Sequence, residues 1–214
     1  MTSYTIKHYS PQEERLNVVS HGVGLVLSIA AFVLLLSSAA KLGTVWHWVS
    51  YTIYGISQVS VFLASTLYHR AKEPKLRYRL NIFDHASIYL SIAGTYTPFT
   101  LITLRGPWGW SIFGIIWTIA IAGIILKFYF TGRYKLLSTI SYVAMGWIAV
   151  IAIKPLINNM PFDGLIWLAA GGVFYTIGAV LYQIKRIPYN HAIFHFFVVI
   201  AWGCHFIMVY YFTI

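Results

Sequence analysis

The chain has 214 residues, of which 59% are hydrophobic and 9% charged, against about 25% charged in soluble domains, and its mean hydropathy is +0.72. This is the composition of a membrane protein: seven spans of about 20 residues leave about 74 residues for an amino-terminal arm and six connections, so no separate soluble domain fits. The formal charge of +10 would suggest a nucleic-acid partner in a soluble chain. Basic residues flanking apolar spans are instead topology determinants, and no nucleic-acid partner is expected. Cys204 is the single cysteine, which excludes an intrachain disulfide.

In chain order, residues 1–21 are mixed polar, with Lys7, His8, Glu13, Glu14 and Arg15, and read as a cytoplasmic arm with an interfacial segment. The first apolar run, 22–40, is too long for a signal-peptide core and reads as a retained first helix. Further runs follow at 48–67, 82–104, 108–126, 136–153, 162–182 and 190–212. Runs of this length, apolar on all sides, suit helices and not barrel strands, so the expectation is an all-α seven-transmembrane-helix domain over 22–214. Gly106-Pro107, Lys154-Pro155, Met160-Pro161 and Ile187-Pro188 fall between runs, whereas Pro98 lies inside one and should kink the third helix.

Counted by alternate sides, the arm and the second, fourth and sixth loops hold twelve of the fifteen Lys and Arg residues, leaving Lys41, Arg105 and Lys154 on the other side. The positive-inside rule then puts the amino terminus in the cytoplasm and the carboxyl terminus outside, in a multi-pass protein of the cell inner (plasma) membrane. Trp46, Trp48, Trp108 and Trp110 line the outer interface in that orientation, and Tyr68, Tyr134 and Tyr189 lie near the inner one.

Of five acidic residues, only Asp84 falls near the hydrocarbon, where an ionisable group is costly and tends to be paired or functional. His69 ends the second run, Asp84 and His85 open the third, and His191 and His195 open the seventh. Alternating topology puts His69, Asp84, His191 and His195 at one depth near the cytoplasmic leaflet. The four-residue spacing of His191 and His195 places both on one helical face, where two imidazoles can share a metal. An isolated pair of this kind is often incidental, but a third histidine and a carboxylate at the same depth make an open zinc site, with water in the fourth position. Ser65, one turn before His69, looks into the same space.

His85 points about 100° away from Asp84 and reads equally as packing residue or ligand. His205, about 15 Å deeper than His195, reads as a hydrogen-bonded core histidine. His8 and His47 carry no special weight. Glu14, Asn17 and His21 share one helical face and read as an amphipathic interfacial segment or as a polar cap over the cytoplasmic mouth. Gly-rich phosphate loops, Gly-x-Ser-x-Gly and Cys-x-x-Cys are absent from the sequence.

Together, Glu14-Arg15-Leu16-Asn17 with Ser20-His21, Ser65-Thr66-Leu67-Tyr68-His69, Asp84-His85 with Ala93-Gly94-Thr95-Tyr96-Thr97-Pro98, and His191-Ala192-Ile193-Phe194-His195 with His205-Phe206 carry a resemblance over almost the whole chain. It resembles the bacterial hemolysin III family, related to the progestin and adipoQ receptors and more remotely to alkaline ceramidases. The resemblance implies a seven-helix bundle with its amino terminus inside and a zinc ion held by His69, His191 and His195, with Asp84 contacting the metal-bound water and Ser65 close by. It also implies a role in membrane-lipid homeostasis.

The leading expectation is a zinc-dependent, ceramidase-like hydrolase of an amide or ester bond in a membrane lipid, with Asp84 and Ser65 as catalytic residues and membrane lipid as substrate or ligand. The alternative is a membrane receptor or sensor with a structural zinc, signalling through the basic second loop around Arg70 to Arg79. A pore-forming cytolysin or transporter ranks third, because the ionisable residues collect on one side and do not ring a mid-membrane path.

Overall fold

The computed structural model describes residues 9–213. Lys7, His8 and the rest of residues 1–8 of the expected arm lie outside the described residues, as does Ile214. The described residues form eight α-helices and no strand: α1 Pro11–Leu42, α2 Val45–Arg70, α3 Pro74–Pro98, α4 Pro107–Phe130, α5 Lys135–Trp147, α6 Ile153–Asn159, α7 Phe162–Gln183 and α8 Asn190–Phe212.

The ends of these helices follow from local chemistry. At α1, the Ser10 hydroxyl accepts the Glu13 N–H at 3.2 Å, Pro11 occupies the first turn, and Gly43 terminates the helix at φ 70, a conformation that suits glycine. At α3, the Glu73 carboxylate accepts the N–H groups of Lys75 at 2.8 Å and Leu76 at 2.5 Å. Those bonds, from Leu76 first and Lys75 second, hold the Glu73 carboxyl below its ordinary range. α1 continues unbroken from Pro11 through residues 11–21 into the apolar run, which carries the polar face of Glu14, Asn17 and His21 on the same rod as the first span.

Two breaks are repaired by side chains. Pro98 ends α3 and the chain continues as a wide π turn, Phe99–Thr103, closed by Leu104 N–H on Phe99 O at 2.8 Å. The hydroxyls of Thr97 and Thr100 donate to Ala93 O and Tyr96 O, both at 2.8 Å, beside the backbone donor that the proline removes. Between α5 and α6 the chain tightens into a 3-10 stretch, Ile148–Ala152. There the Tyr96 hydroxyl donates to Gly146 O at 2.7 Å and accepts the Ala149 N–H at 2.8 Å.

Five rods have the length and apolar composition to cross a membrane: Pro11–Leu42, Pro107–Phe130, Lys135–Asn159, Phe162–Gln183 and Asn190–Phe212. Their apolar side chains face outward. Val19, Val26 and Val33, seven apart on α1, are 61%, 68% and 57% exposed, so the lipid-facing stripe is the hydrophobic one. α2 and α3, which span 26 and 25 residues, turn polar faces inward. The Gln58 amide donates to Ser91 O and Thr95 Oγ1, and the Ser91 hydroxyl donates to Gln58 Oε1 at 2.9 Å, locking α2 to α3 through fully buried groups.

The principal contacts run α4 to α3, α3 to α2, α2 to α1, α1 to α8 and α8 to α7, while α5 touches α3 and α7 only briefly. The space left between α5, α3 and α7 is a cavity of about 570 Å³. α2 and α3 approach so closely at Gly94 that a Cβ there would overlap the Ser57 side chain, as small residues allow where helices pack tightly. Gly94→Ala should therefore destabilise the bundle by about 1–3 kcal/mol through overpacking, read as a lower thermal midpoint in detergent.

Candidate metal centre

α2 stops one residue after His69, where Ala71 leaves the helical conformation and Pro74 opens α3. α8 starts after Pro188 and Tyr189, whose φ of 55 turns the chain back into the bundle. These two ends meet, and the helical i, i+4 spacing turns His191 and His195 toward His69. The Nε2 atoms of His69 and His191 are 3.1 Å apart, as are those of His191 and His195. All three residues are buried, and the ligand atoms lie within 4.8 Å of one another.

Each neutral imidazole has one N–H and one lone pair. Glu14 accepts from His69 Nδ1 at 2.7 Å; a carboxylate can only accept, so Nδ1 carries the hydrogen and Nε2 turns its lone pair toward the other two rings. Nitrogens bound about 2.0–2.1 Å from a tetrahedral zinc lie about 3.3 Å apart, close to the spacing of these Nε2 atoms. The donor set, its burial and the fixed His69 tautomer fit a metal ion.

A shell of residues from four segments surrounds the cluster. Glu14 also pairs with the Arg77 guanidinium, and Arg77 donates to Ala71 O at 3.1 Å. Asn17, fully buried, brings its amide within 3.3 Å of His69 Nδ1. His21 stacks on His195 with ring centroids 3.6 Å apart, and Tyr9 stacks on His191 at 4.6 Å. Glu13 accepts the His191 backbone N–H at 3.3 Å, satisfying a donor that the start of a helix leaves open.

The 570 Å³ cavity reaches the cluster, and its wall includes His21, Ser65, Asp84, His85, His191 and His195. Ser65 is buried and its hydroxyl has no hydrogen-bond partner among the described residues. Asp84 is 8% exposed and holds one carboxylate oxygen 3.6 Å from His85 Nδ1. His85 Nδ1 lies 3.0 Å from Asn81 O. His205 sits at the far end of the cavity against Leu168 O at 3.1 Å, in the place of a hydrogen-bonded core histidine, and His47 is taken up at the start of α2 with Thr44.

The structure thus brings His69, His191 and His195 together and puts Asp84 and Ser65 on the wall of the adjoining cavity. It also gives direct contacts to groups that the sequence placed at the interface. Glu14, Asn17 and His21 pack on the histidines, and their three-and-four spacing was the available signal. Arg77, counted among the topology charges, is 5% exposed and lies inside an ion pair. Nothing in the sequence pattern pointed to Tyr9 or Glu13.

Residues 9–206 match the family described as Haemolysin-III related. The chain is 48% identical to Hemolysin-3 of Bacillus cereus over 187 residues, covering 87% of this chain and 85% of that protein. It is 44% identical to the Hemolysin-3 homolog of Bacillus subtilis (strain 168) over 190 residues, 89% of each. A more distant similarity, 30% over 167 residues, covers 75% of this chain and 69% of the human monocyte to macrophage differentiation factor. The matched region contains the three clustered histidines, Asp84 and Ser65, and the chain belongs to the haemolysin-III related family.

Proposed function

We propose that this protein is a zinc-dependent hydrolase of membrane lipid, acting on an amide or ester bond from the inner leaflet of the plasma membrane and serving membrane-lipid homeostasis. The observation that carries this reading is the convergence of three histidine Nε2 atoms, two of them from the cavity-lining His191 and His195, beside a largely apolar cavity whose wall also holds Asp84 and Ser65. In the same reading α2 and α3 cross the bilayer with the five apolar rods. The bundle then has seven spans, with its amino terminus in the cytoplasm and its carboxyl terminus outside, supported by the Lys and Arg distribution.

His69, His191 and His195 would hold the ion. Zinc bound there would supply a Lewis acid and bring the ionisation of water into the neutral range. Asp84 presents a carboxylate to the cavity and takes the proton of an attacking water as general base. The Ser65 hydroxyl donates to the substrate carbonyl. Glu14 keeps His69 in the tautomer that offers Nε2, and Arg77 pairs with Glu14 and holds it in place. The apolar walls bind an acyl chain and exclude bulk water. A second reading, a sensor with a structural metal, is favoured by the way Glu14, Arg77, Glu13 and Tyr9 tie α1, α3 and α8 around the cluster. Transport ranks below both, because His205 stands apart from the ionisable groups gathered at the other end.

Purified protein should carry about one zinc per chain by elemental analysis, and a His191→Ala, His195→Ala double variant should carry essentially none. Asp84→Ala should keep much of the metal and lose turnover on a panel of ceramides and phospholipids; metal-replete wild type that hydrolyses none of the panel would sink the hydrolase reading and leave the sensor. Glu14→Gln should weaken zinc binding by about 10–100-fold in chelator competition, the usual consequence of losing a carboxylate behind a metal-binding imidazole.

A further inference from the structure

The cavity has a second charged region that the reading above does not use. Lys127, in the last turn of α4, lines the cavity and is 6% exposed. Its ammonium donates to the Ser138 hydroxyl at 2.5 Å and lies 5.6 Å from the centre of the Tyr142 ring. Lys135, an exposed residue, also lines the cavity, after the turn at Gly132, whose φ of 83 reverses the chain between α4 and α5.

The chain has five side-chain carboxylates, and all are placed elsewhere. Glu13 accepts from His191, Glu14 from His69 and Arg77, and Glu73 caps α3; Asp84 faces His85, and Asp163 opens α7. Among the described residues no carboxylate pairs with Lys127. A lysine near a helix end ordinarily extends its ammonium to the headgroup layer. Lys127 instead turns inward, where a cation without a counter-charge is expensive, so the arrangement suits an anion brought by a ligand.

We propose that Lys127, Ser138 and Lys135 form a subsite for the phosphate of a lipid headgroup. The two ammonium groups match the charge and acceptor oxygens of a phosphate, and Ser138, whose hydroxyl donates to Tyr134 O at 2.8 Å and accepts from Lys127, orients the Lys127 ammonium. The wall beyond them is apolar, including Ile88, Ile92 and Val143, which suits an acyl chain attached to that phosphate better than a free anion. Asp84, His191 and His195 line the same cavity, so a lipid seated by its phosphate keeps its linkage and chain within one enclosure. This proposal deepens the hydrolase reading by naming the substrate class, and it rests on that reading for turnover but not for binding.

The test measures binding to the purified full chain by native mass spectrometry. Its two probes, 1-oleoyl lysophosphatidic acid and 1-oleoylglycerol, share an acyl chain and differ in the phosphate. Wild type should prefer the phosphate-bearing lipid by about tenfold or more, the range of a charge-assisted hydrogen bond. Lys127→Met should abolish the preference without changing binding of the neutral glyceride or zinc content, and Lys127→Arg should keep it. Lys127→Gln serves as a second neutral variant if the Met variant does not fold. Equal binding of the two lipids by wild type, or an undiminished preference in the neutral variants, would overturn the subsite. Inorganic phosphate binding as tightly as the lysolipid would overturn its assignment to a lipid. Asp84→Ala, with hydrolysis removed, should retain the preference, so loss of catalysis and loss of headgroup recognition are read separately.

Discussion

A hydrocarbon solvent offers no hydrogen bonds, so each polar group in this bundle must find its partner inside the protein. That constraint turns the fold inside out relative to a soluble domain. Valines and isoleucines of α1, α4 and α7 face outward, while Asn17, Gln58, Ser91, Thr95 and the histidines face inward. Burial of apolar surface cannot hold such helices together, since lipid is as apolar as leucine. Polar seams and close approaches do so instead: Gln58 against Ser91 and Thr95, Ser57 against Gly94, and the Tyr96 hydroxyl bridging the break between α5 and α6.

The same constraint shapes the site. Three buried imidazoles facing each other through Nε2 satisfy one another poorly as hydrogen-bond partners, because each has a single donor and a single acceptor. The arrangement makes sense with a shared cation and a carboxylate fixing the tautomer from behind. Glu14 supplies that carboxylate, and Arg77 balances its charge. The result is a chain of contacts from Arg77 on α3 through Glu14 on α1 to His69 on α2, and it orients His69 by chemistry as well as by packing.

The helical class and the meeting of His69, His191 and His195 were legible in the sequence because both depend on run length and on which end of a run a residue occupies. His69 at the end of one run and His191 and His195 at the start of another had to share a level if the runs alternate. The i, i+4 spacing then fixed their common face. What the sequence did not reveal was lateral order. That α1 lies between α2 and α8 is not written in any run of residues, so Glu14 and Arg77 looked like interfacial charges although they meet beside His69. The π turn after Pro98 shows the same limit on a smaller scale: the proline signalled a disturbance, but the threonines that accommodate it act through three-dimensional contacts.

The first and last long helices are neighbours, and Glu13 meets the backbone of His191 across 178 positions of sequence. In chain order α8 comes well after α1 and α2, so during synthesis His69 and its Glu14 support stand along an open seam until α8 packs on α1. Insertion of α8 closes that seam and delivers two of the three imidazoles in one event. Assembly of the centre thus coincides with the docking of α8, and a bound ion would act as a clasp between α2 and α8, favouring the docked arrangement over the open one.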